Sequence, residues 1–246
     1  MKVALTGAAG FLGQALLPRL AAAHQLVATD LKAVPGPVPI HAADVTDPEA
    51  MQALCQEVDA VIHLARAVWE DDLDDSANQT RILQTRLKGT YNLLQAAGQA
   101  QVTRVIQISD LCILDGYADD IMVSEDFLPL PDTSAHQQSV YLSEWIARDF
   151  AHQKEVEVLT LRLGALVETA KLATDAQYAD GWLDLEDAVE AIVSGLERQN
   201  LGSHGAWALY NLAADVPQNR YSLLKIQSKA FGFFPRQDFA PWRGGH

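Results

Sequence analysis

The run Thr6-Gly7-Ala8-Ala9-Gly10-Phe11-Leu12-Gly13 spaces three glycines three residues apart. A short apolar run, Lys2–Thr6, precedes it, and a helix-patterned run, Phe11–Ala23, follows. In such a strand–turn–helix setting each glycine has a task. Gly7 lets the chain turn sharply, Gly10 lets the backbone approach a pyrophosphate, and Gly13 lets the helix pack closely on its strand. The first turn of the helix leaves N–H groups unpaired, and those amides bind phosphate together with the positive end of the helix dipole. Ala9, Phe11 and Leu12 therefore join the glycines as expected phosphate-binding positions. Asp30 ends the next strand-like run, Leu26–Asp30. A carboxylate there accepts from both ribose hydroxyls of an adenosine and repels a 2′-phosphate, so NAD is favoured over NADP. Lys32, close by, pulls slightly the other way.

Residues with these tasks need a frame to hold them. Strand-like runs occur at Lys2–Thr6, Leu26–Asp30, Ile40–Ala43, Asp59–Ala65, Arg104–Ser109 and Val156–Leu163. Between them lie helix-like runs at Phe11–Ala23, Pro48–Glu57 (with Asp47 as N-cap), about Asp75 to Ala100, and Ser139–Gln153. This alternation predicts an α/β fold, a doubly wound parallel sheet of the Rossmann type, with ligands at the carboxyl ends of the strands. After Leu163 the rhythm changes. Glu186–Glu197 reads as helix, Ala206–Asn211 as strand and Leu223–Ala230 as helix, with polar, turn-rich stretches between. The expected organisation is a dinucleotide-binding domain over 1–165 and a small C-terminal substrate lobe over 166–246, with elements returning to the core.

The glycine loop, Asp30, Asp44-Val45-Thr46-Asp47 and His63-Leu64-Ala65 together resemble the extended short-chain dehydrogenases/reductases, the NAD-dependent sugar epimerase/dehydratase group. Lys88-Gly89-Thr90-Tyr91-Asn92-Leu93-Leu94, Arg162-Leu163-Gly164, Leu185-Glu186-Asp187-Ala188 and Tyr210-Asn211-Leu212 echo the same group. The resemblance implies that Asp44 hydrogen-bonds the adenine amino group with Val45 beside the ring. It implies that Leu64, Ala65 and Arg66 line the path of the nicotinamide ribose and phosphates, and that Leu163 borders the cofactor. Arg66 stands where members of the group usually carry a small residue. His63 is read as a core histidine satisfied by backbone.

The resemblance also implies a catalytic trio: a Ser or Thr that orients the substrate oxygen, a tyrosine as general acid/base, and a lysine one helical turn later that lowers the tyrosine pKa. Tyr141 takes the tyrosine's place, and the hydroxyl position falls on Asp110, with Ser109 one place early. Four residues after Tyr141 stands Trp145 instead of lysine. Tyr221-Ser222-Leu223-Leu224-Lys225 repeats the spacing after all the Rossmann strands and is read as chance. The expectation is an NAD-dependent oxidoreductase, epimerase or dehydratase with an atypical site, acting on a small hydroxylated or sugar-like substrate. The alternatives are a catalytically silent NAD(H) sensor or scaffold, and a lyase or isomerase that keeps NAD structurally and uses Asp110 as base. The helices over 75–100 and 139–153 resemble the pair that forms a four-helix homodimer interface. Leu83, Leu87, Tyr91 and Leu94 form the candidate stripe, which packing within the core would explain equally well.

Composition narrows the partners. The 246 residues are 49% hydrophobic, enough for one large core and an appendage. Lys and Arg number 18 against 32 Asp and Glu, a formal net charge of −14. Such a surface repels nucleic acid and anionic lipid, so an anionic cofactor must be held by local amides. Cys55 and Cys112 stand apart without Cys or His beside them in sequence, so neither a disulfide framework nor a metal site is expected. The opening Met1-Lys2-Val3-Ala4-Leu5 lacks the form of a signal peptide and no apolar run is long enough to span a bilayer, so a cytoplasmic location is expected.

Overall fold

The computed structural model describes residues 1–153, 156–199, 201 and 206–243. Its first half alternates strand and helix: β1 (Lys2–Thr6), α1 (Phe11–Ala23), β2 (Gln25–Asp30), β3 (Ile40–Ala42), α2 (Pro48–Cys55) and β4 (Ala60–His63). A long helical stretch follows, made of α3 (Asp75–Leu83), a π-helical segment (Gln84–Lys88) and α4 (Gly89–Gln99). Next come β5 (Arg104–Asp110), a 3₁₀ turn (Leu111–Leu114), α5 (Ala135–His152) and β6 (Glu157–Leu163). The remainder contains β7 (Ala165–Val167), β8 (Trp182–Asp184), α6 (Leu185–Glu197), β9 (Trp207–Leu212) and the short α7 (Leu224–Gln227).

Seven strands form one parallel sheet in the order β3-β2-β1-β4-β5-β6-β9. The chain reverses direction of travel between β1 and β4, and this switch point opens a crevice at the strands' carboxyl ends. Side chains alternate across each strand and bury on both sides. Val3, Leu5, Ile62, Ile106 and Leu159 pack towards Leu16 and Leu20 of α1 and Ala188 and Ile192 of α6. Ala4, Val61, Val105 and Val158 pack the opposite way, against Met51 of α2, Leu93 and Ala97 of α4, and Ala147 of α5. The doubly wound sheet expected from the sequence is thus present.

Beyond residue 165 the chain divides its work. β7 and β8 make a separate two-stranded sheet, while β9 rejoins the main sheet beside β6. Trp182, Tyr178, Phe239 and Trp242 stack around one another and form a small aromatic core under the strand ends. Buried Asp187 of α6 accepts the backbone N–H groups of Arg236 and Gln237 and ties the tail back. The expected helix over Leu223–Ala230 is only Leu224–Gln227, because the chain turns extended at Ser228 and sends Phe231 into the core. No helix among the described residues is long and apolar enough to cross a membrane.

Candidate functional site

The glycine loop runs from the end of β1 into α1. Gly7 sits at φ +71°, where a side chain is strained, and a Cβ there would lie 2.8 Å from the Ala65 nitrogen. A Cβ on Gly13 would come within 2.5 Å of the Gly7 carbonyl oxygen, so helix and turn touch through bare backbone. Gly10 caps α1 without any side-chain hydrogen bond, and no acidic residue sits in the first turn. Ala9, Gly10 and Phe11 are exposed, whereas Leu12 and Gly13 are buried. The Gly10 N–H turns back to the Gly7 carbonyl at 3.2 Å, and the amides of the first turn of α1, from Phe11 on, are left without a capping side chain or an acidic residue in that turn. That cradle has the shape and polarity a pyrophosphate needs.

Asp30 lies beneath this cradle. Its Oδ2 accepts the N–H of Ala9 at 2.9 Å and its Oδ1 accepts the N–H of Leu31 at 2.7 Å. A carboxylate offers about four acceptor sites, so capacity remains for a ribose. Asp44 is exposed and accepts the N–H of Thr46 at 2.8 Å. Val45 is buried, clamped by Gly89 and by the side chain of Asn92, which donates to its carbonyl at 3.2 Å. Leu64 and Ala65 continue from β4 and press their backbone against Gly7, with the Leu64 N–H bonded to the Thr6 carbonyl. Arg66 is exposed beside them, and Leu163 forms a buried floor at the end of β6, in register with Asp110.

His63 is buried, but backbone does not satisfy it. Its Nδ1 pairs with the Thr6 hydroxyl at 2.8 Å and its Nε2 with the Thr90 hydroxyl at 3.3 Å. Burial, aided by the nearby charge of Arg86, pushes its pKa down to about 3, so the ring is neutral.

At the end of β5 neighbouring residues part company, as strand alternation requires. Ser109 points under α5 and donates to Glu144 Oε1 at 2.5 Å. Glu144 also receives Arg162 through Nε at 2.9 Å and Nη2 at 2.7 Å, so its carboxylate is saturated. Asp110 stands on the other side of the strand. Its Oδ1 accepts the N–H of Cys112 at 2.9 Å, and its Oδ2 lies 3.7 Å from His136 Nε2, an ion-pair distance slightly beyond a hydrogen bond. Burial alone would raise the Asp110 carboxyl, but His136 and the Cys112 contacts outweigh it and hold it below the usual range. Burial, with Asp110 beside it, pushes the Cys112 thiol upwards.

The sequence reading did not single out His136. It begins α5 at Ser139, whereas the helix starts at Ala135, capped by the Ser134 hydroxyl on the Gln137 N–H at 3.2 Å. The signal was Ser134-Ala135-His136-Gln137, a Ser-x-x-Gln capping pattern. His136, Val140 and Glu144 then fall one turn apart on the inward stripe of α5. Tyr141 lies about 100° round the helix from Val140. Its ring meets Trp145 edge-on at 6.2 Å, and Arg148 covers Trp145 at 4.8 Å. Of the three residues named for catalysis, Ser109 and Asp110 both meet the inward stripe of α5, Ser109 at Glu144, which Arg162 also holds, and Asp110 at His136.

Two further features frame this point. Asp110, Cys112 and His136 hold donor atoms within 4.8 Å of one another, a mixed set that could take a divalent ion. The buried guanidinium of Arg86 sits near enough to couple electrostatically with Asp110 and Cys112, and it opposes a cation there. The loop beyond is braced by Tyr221, whose hydroxyl donates to Asp115 at 2.9 Å, and by Arg220, which pairs with Asp119 at 2.8 Å.

Residues 3–167 match the sequence profile of the NAD dependent epimerase/dehydratase family. The chain belongs to that family. Within it, an L-arabinose 1-dehydrogenase (NAD(P)(+)) of Haloferax volcanii is 26% identical across 97% of this chain and 98% of its own length. A uronate dehydrogenase of Pseudomonas putida is 25% identical across 82% of this chain and 73% of its own. The fold superposes on the crystal structure of a uronate dehydrogenase from Agrobacterium tumefaciens with a TM-score of 0.81, at 22% identity, covering 96% of this chain and 85% of that one. Set against the epimerase/dehydratase pattern of a tyrosine and a lysine one turn apart, α5 offers Tyr141, half-buried against the main core, followed one turn on by Trp145, and α5 contains no lysine.

Proposed function

We propose that the protein is an NAD-dependent oxidoreductase acting on a small, sugar-like hydroxyl or carbonyl substrate, with its proton handled by Asp110 and His136. The observation that carries this reading is the Asp110–His136 pair at the carboxyl end of β5, in the same row of strand ends as the glycine cradle. Gly7, Ala9, Gly10, Phe11, Leu12 and Gly13 would hold the pyrophosphate, Asp30 the adenosine ribose, and Asp44 and Val45 the adenine. Leu64, Ala65, Arg66 and Leu163 would line the nicotinamide half. When bound, NAD exchanges a hydride with the substrate carbon. In the oxidation direction the substrate hydroxyl gives its proton to the His136 imidazole, and the Asp110 carboxylate orients that ring and supports its positive form. In reduction the same proton returns to the carbonyl oxygen. The dehydrogenase names of the relatives support a sugar-like substrate.

The absence of lysine from α5 favours a second reading, an NAD(H)-binding protein without turnover. Calorimetry with NAD, followed by absorbance at 340 nm with aldoses, uronates and hydroxy-acids, separates the two. Binding with turnover that His136→Ala abolishes supports the enzyme. Binding with no turnover on any substrate supports the silent protein, and no binding removes both.

The same reading includes a homodimer through α3–α4 and α5, where Tyr91, Leu142 and Trp145 are exposed apolar side chains. Leu94 does not belong to that surface, because it is buried against the sheet. Light scattering should give twice the 26.8 kDa chain mass, and Trp145→Glu should halve it. A nicotinamide cofactor and two free thiols suit the cytoplasm.

A further inference from the structure

Five residues of the helical stretch between α3 and α4 are wound as π-helix, Gln84–Lys88. A π turn takes an extra residue and shifts the direction of the side chains it carries, and such turns cluster at functional sites. Here Gln84 and Lys88 remain exposed while Arg86, between them, is 8% exposed. Its guanidinium makes one hydrogen bond, from Nη1 to the Ile108 carbonyl at 3.4 Å, two residues before Asp110. Among the described residues no carboxylate lies within ion-pair distance of it. Asp110 is the carboxylate whose charge bears on it most, and Glu144, which also bears on it, is already engaged by Arg162 and Ser109. Among the described residues its Nε and Nη2 make no hydrogen bond, and neither atom is fully sealed. A guanidinium carries five donors and does not lose its charge. Burying it without a counter-ion is costly unless an oxygen from elsewhere completes it.

Arg86 lies beside the proton-handling pair, bonded two residues before Asp110. The charge of Arg86 supports the Asp110 carboxylate and opposes protonation of His63, and Arg66, Cys112 and Glu144 are the other charged or titratable groups around it. On the inward stripe of α5 the position one turn after His136 is Val140, fully buried and apolar. Arg162, also buried at these strand ends, is taken up by Glu144, so the buried cation left without an ion-pair partner is Arg86, which arrives from the π segment.

We infer that Arg86 is the cation of the catalytic centre, its free N–H groups binding the negatively charged oxygen that the substrate presents or develops when its proton leaves to His136. The inference rests on the oxidoreductase reading for the chemistry but not for the anion binding, and the two are tested separately.

Arg86→Gln and Arg86→Lys are compared with the wild type by thermal melting, by calorimetry with acetate titrated into the NAD complex, and by turnover of any substrate found. The expected result is that Arg86→Gln melts no lower than the wild type, loses the acetate heat and loses kcat about 100- to 1000-fold, with KM for NAD unchanged. Arg86→Lys keeps the charge and should retain acetate binding and rate within about tenfold of the wild type. If no substrate is found, the oxidoreductase reading fails, and the acetate heat of the wild type and its loss in Arg86→Gln still decide the role of Arg86. No acetate heat in the wild type, or equal heat in Arg86→Gln, overturns the assignment. So does equal unfolding of both variants, which would make Arg86 a structural brace.

Discussion

His136 Nε2 faces Asp110 Oδ2 at 3.7 Å across the gap between the first turn of α5 and the end of β5. Each residue has its backbone fixed independently, one by the Ser134 cap and the other by the sheet register with Leu163. The pair is therefore held by two rigid elements and not by a mobile loop. His136→Asn should lower kcat about 100- to 10 000-fold, the usual worth of a positioned acid/base, and leave NAD affinity within twofold. Tyr141→Phe should cost less than about threefold. Steady-state kinetics on both variants decide between the two stripes of α5, and the reverse ranking would return the role to Tyr141.

Among the described residues Asp30 is the acid bonded to the cradle itself, through the Ala9 N–H. Asp30→Ala removes that bond and the expected ribose contact together. Calorimetry should show NAD affinity lowered about 10- to 100-fold, the worth of one or two hydrogen bonds to a charged group. The preference for NAD over NADP should shrink with it, because the carboxylate no longer repels a 2′-phosphate. Unchanged affinity for both cofactors would remove Asp30 from the site.

His63 makes stability depend on pH in a defined window. Its folded pKa of about 3 lies below the ordinary 6.5, so between those values the unfolded chain binds a proton that the folded chain refuses. Stability is complete above pH 6.5 and falls as the pH drops towards 3, by at most about 1.4 kcal/mol per pH unit from this group. His63→Gln retains a donor and an acceptor for Thr6 and Thr90. Urea unfolding between pH 6.5 and 4.5 should show a shallower pH slope in the variant, and parallel slopes would show that another group carries the effect.

The Glu144–Arg162 pair is buried at both ends, with side chains 6% and 3% exposed. Removing one partner strands the other charge. Glu144→Gln should lower unfolding free energy by about 3–5 kcal/mol, whereas Glu144→Met combined with Arg162→Met should recover much of the loss. Chemical denaturation of the two variants measures the difference directly, and equal losses would show that the pair's hydrogen bonds to Ser109 matter more than its charge.

What could be read from sequence follows from how local its cause is. The cradle was legible because three glycines and the flanking strand and helix follow one another without a break between Lys2 and Ala23, and each obeys a short-range steric rule. The seven strands found by pattern were legible because both faces of a parallel sheet bury apolar side chains, as at Val3, Ala4 and Leu5. The start of α5 was not, because its first turn is polar and follows a loop rich in Pro and Asp, so the apolar rhythm begins only at Val140. A tyrosine in roughly the right place then outweighed a histidine in the right turn. β7 and β8 span three residues each, too few to show a period. The π segment left no trace at all, since its winding is decided by how Arg86 and its neighbours seat against β5, a contact between residues distant in sequence.

The π winding makes one stretch of this chain intolerant of changes in length. Dropping a single residue from Gln84–Lys88 would let the turn relax to ordinary α geometry with its flanks nearly in place, and the side chain re-aimed would be that of Arg86 itself. The Asn78 side chain, which clasps the loop carbonyls of Glu70 and Leu73, would keep its hold. Homologues that keep an arginine at this place should therefore conserve the residue count between it and the Gly89-Thr90 step, even where they vary every letter in between.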